Sequence, residues 1–415
     1  MRSKSLLVTG LLVLAFIFGC QKSQKVIITE HPLPPRTPEY SKQLPPGELA
    51  LRKITEPAEM PDFTEACCDL SNLKAAIGNS LNYLRKPSSK KYFPYSGIQH
   101  KQAEDTLKAF AELIDSGVSC ARLNSIIRER FDVYISVGCD NKGTVLFTGY
   151  YTPVFDGSKQ PDGRFKYPLY SVPDDIVRGP EGITVGRRSG DGSVPFPPRG
   201  GIESSLKGKE LVWLGDPFEV YIAHVQGSAK IRQPGGSLIG VGYAANNGHE
   251  YKSIAQKMID DGKIAKDQLS LSSMISYFKS HPDEVMQYTR INPRFVFFRF
   301  EDGPPRGSIN EPVTALRTIA TDKSIYPRAC LAFFSTTLPR ADGTDVVQQS
   351  YSGFALDQDT GGAIRAPGRC DVYMGEGDTA GKLAGQTYRE GRLYYLFIKP
   401  EYQNKPSAGP LEKMR

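Results

Sequence analysis

Near its C-terminal end the chain reads Ala355-Leu-Asp-Gln-Asp-Thr-Gly-Gly-Ala-Ile364. An apolar run delivers Asp359 into a Thr-Gly-Gly turn, which can hold a carboxylate where it gives or takes a proton. Asp322 in Ile319-Ala-Thr-Asp-Lys-Ser-Ile325 and Asp371 in Arg369-Cys-Asp-Val-Tyr373 stand in similar settings. A single aspartate of this kind is ordinarily a turn cap. Three of them, one beside Gly361 and Gly362, point to a site, because glycine lets a backbone approach a ligand closely.

An aspartic protease needs two such turns sharing one proton. The only twin is Leu113-Ile-Asp-Ser-Gly117, where Asp115 closes the helical run AEDTLKAFAELIDSG, an ordinary helix end. Gly240-Val-Gly-Tyr-Ala-Ala245 satisfies the dinucleotide-binding pattern GxGxxA. However, Asp260 and Asp261, the acids about twenty residues on, end a helix at Gly262 instead of a second parallel strand. The chain has no GxSxG elbow, HExxH, P-loop or CxxC pair, and its five histidines are scattered. No metal site or organic cofactor is expected, and carboxylates are left as the proton-transfer groups.

The elements that must position these acids follow from periodicity. Leu70, Leu73, Ile77, Leu81 and Leu84 recur at helical spacing, as do residues from Ala103 to Ile114 and Leu123, Ile126, Ile127 and Phe131. Val133–Val137 and Val145–Tyr151 read as strands. From Pro153 to about Gly240 short strands alternate with turns, and Glu250–Asp261 and Leu271–Phe278 are helical. Strands resume over Arg294–Phe300, Thr314–Thr321, Ala329–Ser335, Gly353–Leu356 and Arg392–Ile398, which suggests a closed or partly closed β-barrel.

The 415 residues are enough for two compact domains, or for one with a large insertion. A net charge of +7 with no dense basic cluster argues against nucleic acid as a partner. Residues 1–20 read as a secretory signal with a basic start, an apolar stretch from Leu6 to Phe18, and Gly19-Cys20. The ending resembles a bacterial lipoprotein signal, in which Cys20 would be lipidated. Gln21 is not the aspartate that retains lipoproteins in the inner membrane, so the periplasmic face of the outer membrane is favoured. Residues 21–61 form a Pro-rich tether, and 403–415 a polar tail. The six cysteines after Cys20 allow fifteen pairings, among which the sequence does not choose.

The block QDTGGAIRAPGRCDVYMGEGDTAGKLAG resembles the three-aspartate domain of the lytic murein transglycosylase A family. Phe147–Pro153, Val225–Ser228, Gly242–His249, Asn292–Phe298 and Ala320–Pro327 are similar to further motifs of that family, in order. Ala366 stands where the family usually has glycine. The resemblance implies a mainly β, α+β fold. A double-psi β-barrel is built from 62–153 and 292–402, with its three-aspartate region at about 314–400. A smaller β-rich domain, 154–291, is inserted in it. The implied activity is cleavage of the β-1,4 MurNAc–GlcNAc bond of peptidoglycan with formation of 1,6-anhydroMurNAc ends. Asp359 would be the general acid/base, and Asp322 and Asp371 supporting acids. Thr148, Tyr150, Tyr151, Thr152, Gln226, Asn246, Asn247, Gly361 and Gly362 are the substrate-binding candidates. The partners are glycan strands, the membrane through a lipid anchor, and other cell-wall enzymes. A non-catalytic peptidoglycan-binding lipoprotein and a muramidase-type hydrolase are the alternatives.

Overall fold

The computed structural model describes residues 38–403 apart from 180, 181 and 344. The expected signal with Cys20, the start of the tether and most of the tail lie outside the described residues. Within them, β1 (Leu51–Lys53) comes first, and three amphipathic helices, Leu73–Leu84, His100–Asp115 and Cys120–Arg130, then lead into β2 (Phe131–Ser136) and β3 (Val145–Thr152). A disulfide joins Cys68, at the end of the short helix Thr64–Cys68, to Cys120.

The tether expected to reach residue 61 ends earlier. Ala50, Leu51 and Ile54 are buried, and β1 pairs with β2. A prolines-and-charges reading of 21–61 averages over this three-residue strand, whose apolar side chains settle on the barrel.

After β3 the chain enters the insertion. Its strands are β4 (Val154–Ser158), β5 (Tyr167–Tyr170), β6 (Ile176–Arg178), β7 (Thr184–Ser189), β8 (Gly192–Val194), β9 (Glu210–Leu214), β10 (Ser228–Arg232), β11 (Leu238–Asn246) and β12 (Val296–Glu301). Six of them form a sheet in the order β12-β11-β10-β4-β9-β5, and β6-β7-β8 form a smaller one. The insertion therefore runs past the expected limit of 291, because β12 pairs with β11 and not with the barrel. Its core packs Val212, Leu214, Phe298 and Phe278 against the helix Pro217–Gln226. That helix has clear local causes: Asp216 caps Phe218 N–H at 2.7 Å, Pro217 opens the first turn, and Gly227 stops it at φ 80°. Gly240–Ala245, the dinucleotide-like pattern, lies within β11 and leads into no helix.

The chain returns as β13 (Thr318–Ala320), β14 (Leu331–Asp342), β15 (Asp345–Asp359), β16 (Arg369–Glu376) and β17 (Tyr388–Ile398). With β3 these close a six-stranded barrel in the cyclic order β3-β17-β14-β15-β13-β16. The β13–β15 and β16–β3 pairs are parallel and the rest antiparallel, the mixed pairing of a double-psi barrel. Phe334 and Leu393, paired across β14 and β17, share one face of its sheet with Phe147 stacked on Phe334, while Phe333 and Phe354 lie on the other face and pack against Phe63 and Phe110 of the helical segment. The helix Gly377–Gly385 lies on β3 at Gly149, where a Cβ would come 2.8 Å from the Ala384 backbone. Asp115 ends its helix and pairs with Lys74 at 2.6 Å on the surface, which removes the protease reading.

Candidate active site

Register on the barrel brings the acids together. Ala320 of β13 pairs with Asp359 of β15 on one side and with Asp371 of β16 on the other, and Asp371 pairs with Thr148 of β3. Residues directly opposite one another share a face of the sheet. Asp359, Ala320, Asp371 and Thr148 thus form one row across four strands, with only a methyl between the two carboxylates. Strands about 4.8 Å apart put the two aspartate Cα atoms roughly 10 Å from each other. Tyr150 and Tyr373, one strand period further along and paired with each other, extend the same face with ring centroids 5.1 Å apart.

This face floors a cleft of about 740 Å³. The insertion supplies one wall with Gln226, Ser228, Tyr243, Arg294, Arg299 and Phe300, and the loop from Pro305 to Val313 supplies another. Tyr243 and Phe300 are exposed aromatics on its rim. Among the described residues no group of three or more His, Cys, Asp or Glu side chains is placed to hold a metal ion.

Asp359 is held at both oxygens. The backbone N–H groups of Ser308 and Thr360 each donate to Oδ1 at 2.8 Å, and the Tyr150 hydroxyl donates to Oδ2 at 2.9 Å. A β-bulge between β13 and β15 sets this level: Ile319 pairs with Asp357, Ala320 with Asp359, and Gln358 turns inward to Thr318 and Ala76. Gly307 lets the wall loop come down on the acid, since a Cβ there would sit 2.6 Å from the Gln358 carbonyl oxygen. Burial pushes the Asp359 carboxyl up to about 6, against the pull of Thr360, Tyr150, Ser308 and Lys323 toward ionisation. Gly307→Ala is expected to lift the loop, remove the Ser308 bond and raise the apparent pKa of Asp359, read from the acid limb of the pH–rate profile.

Asp371 is held at one oxygen only. Thr148 Oγ1 donates to Oδ1, and Arg369 Nη2 donates to Thr148 Oγ1 at 3.4 Å. Oδ2 has no donor among the described residues and Asp371 lines the cleft. Its carboxyl is raised by burial, opposed by Thr148 and Arg369. Asp322, 2% exposed, has a structural task instead: it accepts Ser324 N–H (3.1 Å) and Oγ (2.6 Å) at Oδ1, and the Ala366 N–H at Oδ2 (3.1 Å). It thereby pins the loop between β15 and β16. Ala366 sits there at φ 71°, the left-handed region that explains the family's glycine. Ala366→Gly is expected to stabilise the fold by up to about 1 kcal/mol in urea unfolding.

Beneath Asp359 lies a network with no counterpart in the sequence reading. Asp357, fully buried, forms an ion pair with Lys323, and accepts from Thr321 Oγ1 and Tyr395 Oη at 2.7 Å each. Thr321 N–H donates to the Asp359 carbonyl at 3.2 Å, and Thr360 Oγ1 donates to the Thr321 carbonyl at 2.8 Å. Burial pushes the Lys323 ammonium down, and Asp357 opposes this.

The remaining candidates divide. Tyr150, Thr152, Gln226, Gly361 and Gly362 line the cleft. Thr152 is buried between the two domains, with Tyr373 Oη at 3.0 Å and Ser228 Oγ at 3.2 Å. Gln226 Oε1 already accepts the Tyr151 N–H at 3.1 Å. Tyr151 points away from the cleft, because neighbours on a strand face opposite sides, and its ring lies against Gly381. Thr148 holds Asp371 and does not line the cleft. Asn246 donates to Tyr243 Oη (2.6 Å) and accepts Gly248 N–H (2.7 Å). Asn247, 2% exposed, donates to the Pro197 and Pro293 carbonyls and accepts Phe295 N–H. The Asn247 amide is thus taken up by backbone groups of the insertion, whereas Asn246 braces Tyr243 on the cleft rim, and neither asparagine lines the cleft itself. Arg294, Arg299, Arg306 and Arg365 line it without having been singled out. Arg294 and Arg299 come from the stretch that carries β12, Arg306 from the loop after it and Arg365 from the loop after β15, so their convergence has no local signal.

Residues 146–299 match the MltA specific insert domain and residues 317–397 the 3D domain. The membrane-bound lytic murein transglycosylase A of Escherichia coli K12 is 28% identical over 356 residues, 84% of this chain and 88% of that protein. Its homolog in Buchnera aphidicola subsp. Schizaphis graminum is 30% identical over 284 residues, 67% of this chain and 73% of that protein. A crystal structure of E. coli MltA with bound chitohexaose superposes with a TM-score of 0.64 at 25% identity, covering 88% of this chain and 100% of that one. With both domains matched in order and the acids gathered in the cleft between them, the chain belongs to the lytic murein transglycosylase A family.

Proposed function

We propose that a peptidoglycan strand lies in this cleft and is cut by intramolecular transfer, with Asp371 moving the proton in place of Asp359. The chain is a lytic murein transglycosylase, a lyase acting on peptidoglycan. The supporting observation is the open Oδ2 of Asp371. A general acid needs reach before it needs a suitable pKa. A proton on Asp359 Oδ2 would face Tyr150, whereas Asp371 can present one to the glycosidic oxygen. As a carboxylate, Asp371 then takes the proton from the C6 hydroxyl of the muramic residue. That hydroxyl attacks the anomeric carbon, so the sugar supplies its own nucleophile and a 1,6-anhydro end results. Asp359, fixed by three donors, serves as the anion facing the positive charge that develops on the ring. The E. coli structure with chitohexaose supports a glycan as the occupant.

Digestion of purified sacculi followed by mass spectrometry of the sugar ends tests this reading. Anhydro ends are expected. Reducing ends would make the enzyme a hydrolase, and binding without release would make it a wall-binding protein. Attachment to the outer membrane through lipidated Cys20 is the matching proposal for location. No helix among the described residues is long and apolar enough to cross a membrane, and the relatives are named membrane-bound. Cys20→Ser is expected to shift the protein from the membrane pellet to the soluble fraction; retention in the pellet would refute the anchor.

A further inference from the structure

We propose that Arg294 and Arg365 form an anion subsite beside the acids, which takes a carboxylate carried on the lactyl arm of the muramic residue. The proposal rests on the peptidoglycan reading above. Both side chains line the cleft. Arg294 lies against the loop that follows Asp359: a Cβ on Gly362 would meet its Nε at 3.1 Å, and Arg365 is three residues further along that loop. Arg294 comes from the insertion and Arg365 from the barrel, so two cations from different domains meet at this loop.

Neither guanidinium is well used by the protein. Arg294 donates through Nη1 to the His249 carbonyl at 3.2 Å, and has no carboxylate partner among the described residues. The Arg365 side chain is 52% exposed and reaches Asp322 only at 3.6 Å. A guanidinium offers five donors in a fork that matches a carboxylate, so most of this capacity faces the cleft. Burial lowers the basicity of Arg294, Tyr243 opposes this, and Arg365 adds to it, as expected of cations brought close without a counter-ion. By contrast, Arg299 pairs with Glu301 at 3.1 Å, and Arg306 Nη1 donates to the Asn310 carbonyl at 2.9 Å.

A muramic residue next to the cut bond carries a lactyl ether at C3, one sugar ring away from the proton donor. Its carboxylate is the lactyl group itself on a peptide-free strand, or an acidic residue of the stem peptide on an intact one. Chitin oligosaccharides have neither.

The test compares wild type, Arg365→Gln and Arg294→Gln/Arg365→Gln on three ligands: intact sacculi, glycan stripped of peptide by an amidase, and chitohexaose. Loss of a charge-assisted contact of this type amounts to about tenfold to a hundredfold. The double variant should lose that factor in kcat/KM on at least one anionic substrate, while its Kd for chitohexaose stays within twofold. The substrate that loses more identifies the source of the carboxylate. Arg365→Gln, an exposed change, should show part of the effect if the double variant folds poorly, and Arg294→Lys/Arg365→Lys should recover part of the loss. Equal loss for chitohexaose, or no loss on either anionic substrate, would overturn the subsite. Absence of anhydro products from the wild type would instead overturn the underlying reaction.

Discussion

Asp371→Asn is expected to abolish release of soluble muropeptides from sacculi, lowering kcat by about 10²–10⁴. Asparagine keeps the shape, and its amide oxygen can still accept from Thr148, so circular dichroism and the thermal midpoint should be unchanged. Asp359→Asn should differ in kind. The wild-type rate should fall as pH drops through about 6, where the Asp359 carboxylate is lost. Burial raises the Asp371 carboxyl as well, so the two acids titrate as a pair and the profile reports values that belong to both. Asparagine at 359 should lower the rate and remove the acid limb. If Asp371→Asn turns over normally while Asp359→Asn is dead, the two roles are reversed.

The second large effect is on stability. Either Asp357→Asn or Lys323→Met leaves one buried charge without its partner, at a cost of about 3–5 kcal/mol in urea unfolding. Lys323→Met/Asp357→Leu removes both charges and should recover most of that loss. If the single variants lose under 1 kcal/mol, the pair is solvated and does not brace the acid turn. Because Thr321 links this pair to the Asp359 carbonyl and the Thr360 hydroxyl, the recovered double variant also reports whether the ions matter for turnover.

The sequence carries the amphipathic helices plainly. The spacing from Ala103 to Ile114 falls inside His100–Asp115, and Val145–Tyr151 inside β3. The helix Pro217–Gln226 is missed although Asp-Pro and Gly frame it, because its apolar residues are contiguous instead of periodic. The far ends of β14 and β15 are missed because the hairpin there is exposed, so alternation has nothing to report. All three aspartates stand out from their turns, but their roles do not. Which of them keeps a free oxygen depends on Thr148, Ser308 and Tyr150, each brought in by pairing or loop contact over long sequence distances. Asp357 looks incidental beside Asp359 until the fold delivers Lys323 and Tyr395 to it.

The last barrel strand, β17, lies between β14 and β3, and its pairing with β3 closes the cylinder. The strand carrying Thr148 therefore gains its second neighbour only from residues 388–391. Contacts of such sequence separation form late and slowly. Closure of the barrel thus waits on a short stretch near the end of the fold: without residues 388–391, β3 keeps one neighbour and the strand that holds Asp371 through Thr148 is left on an open edge.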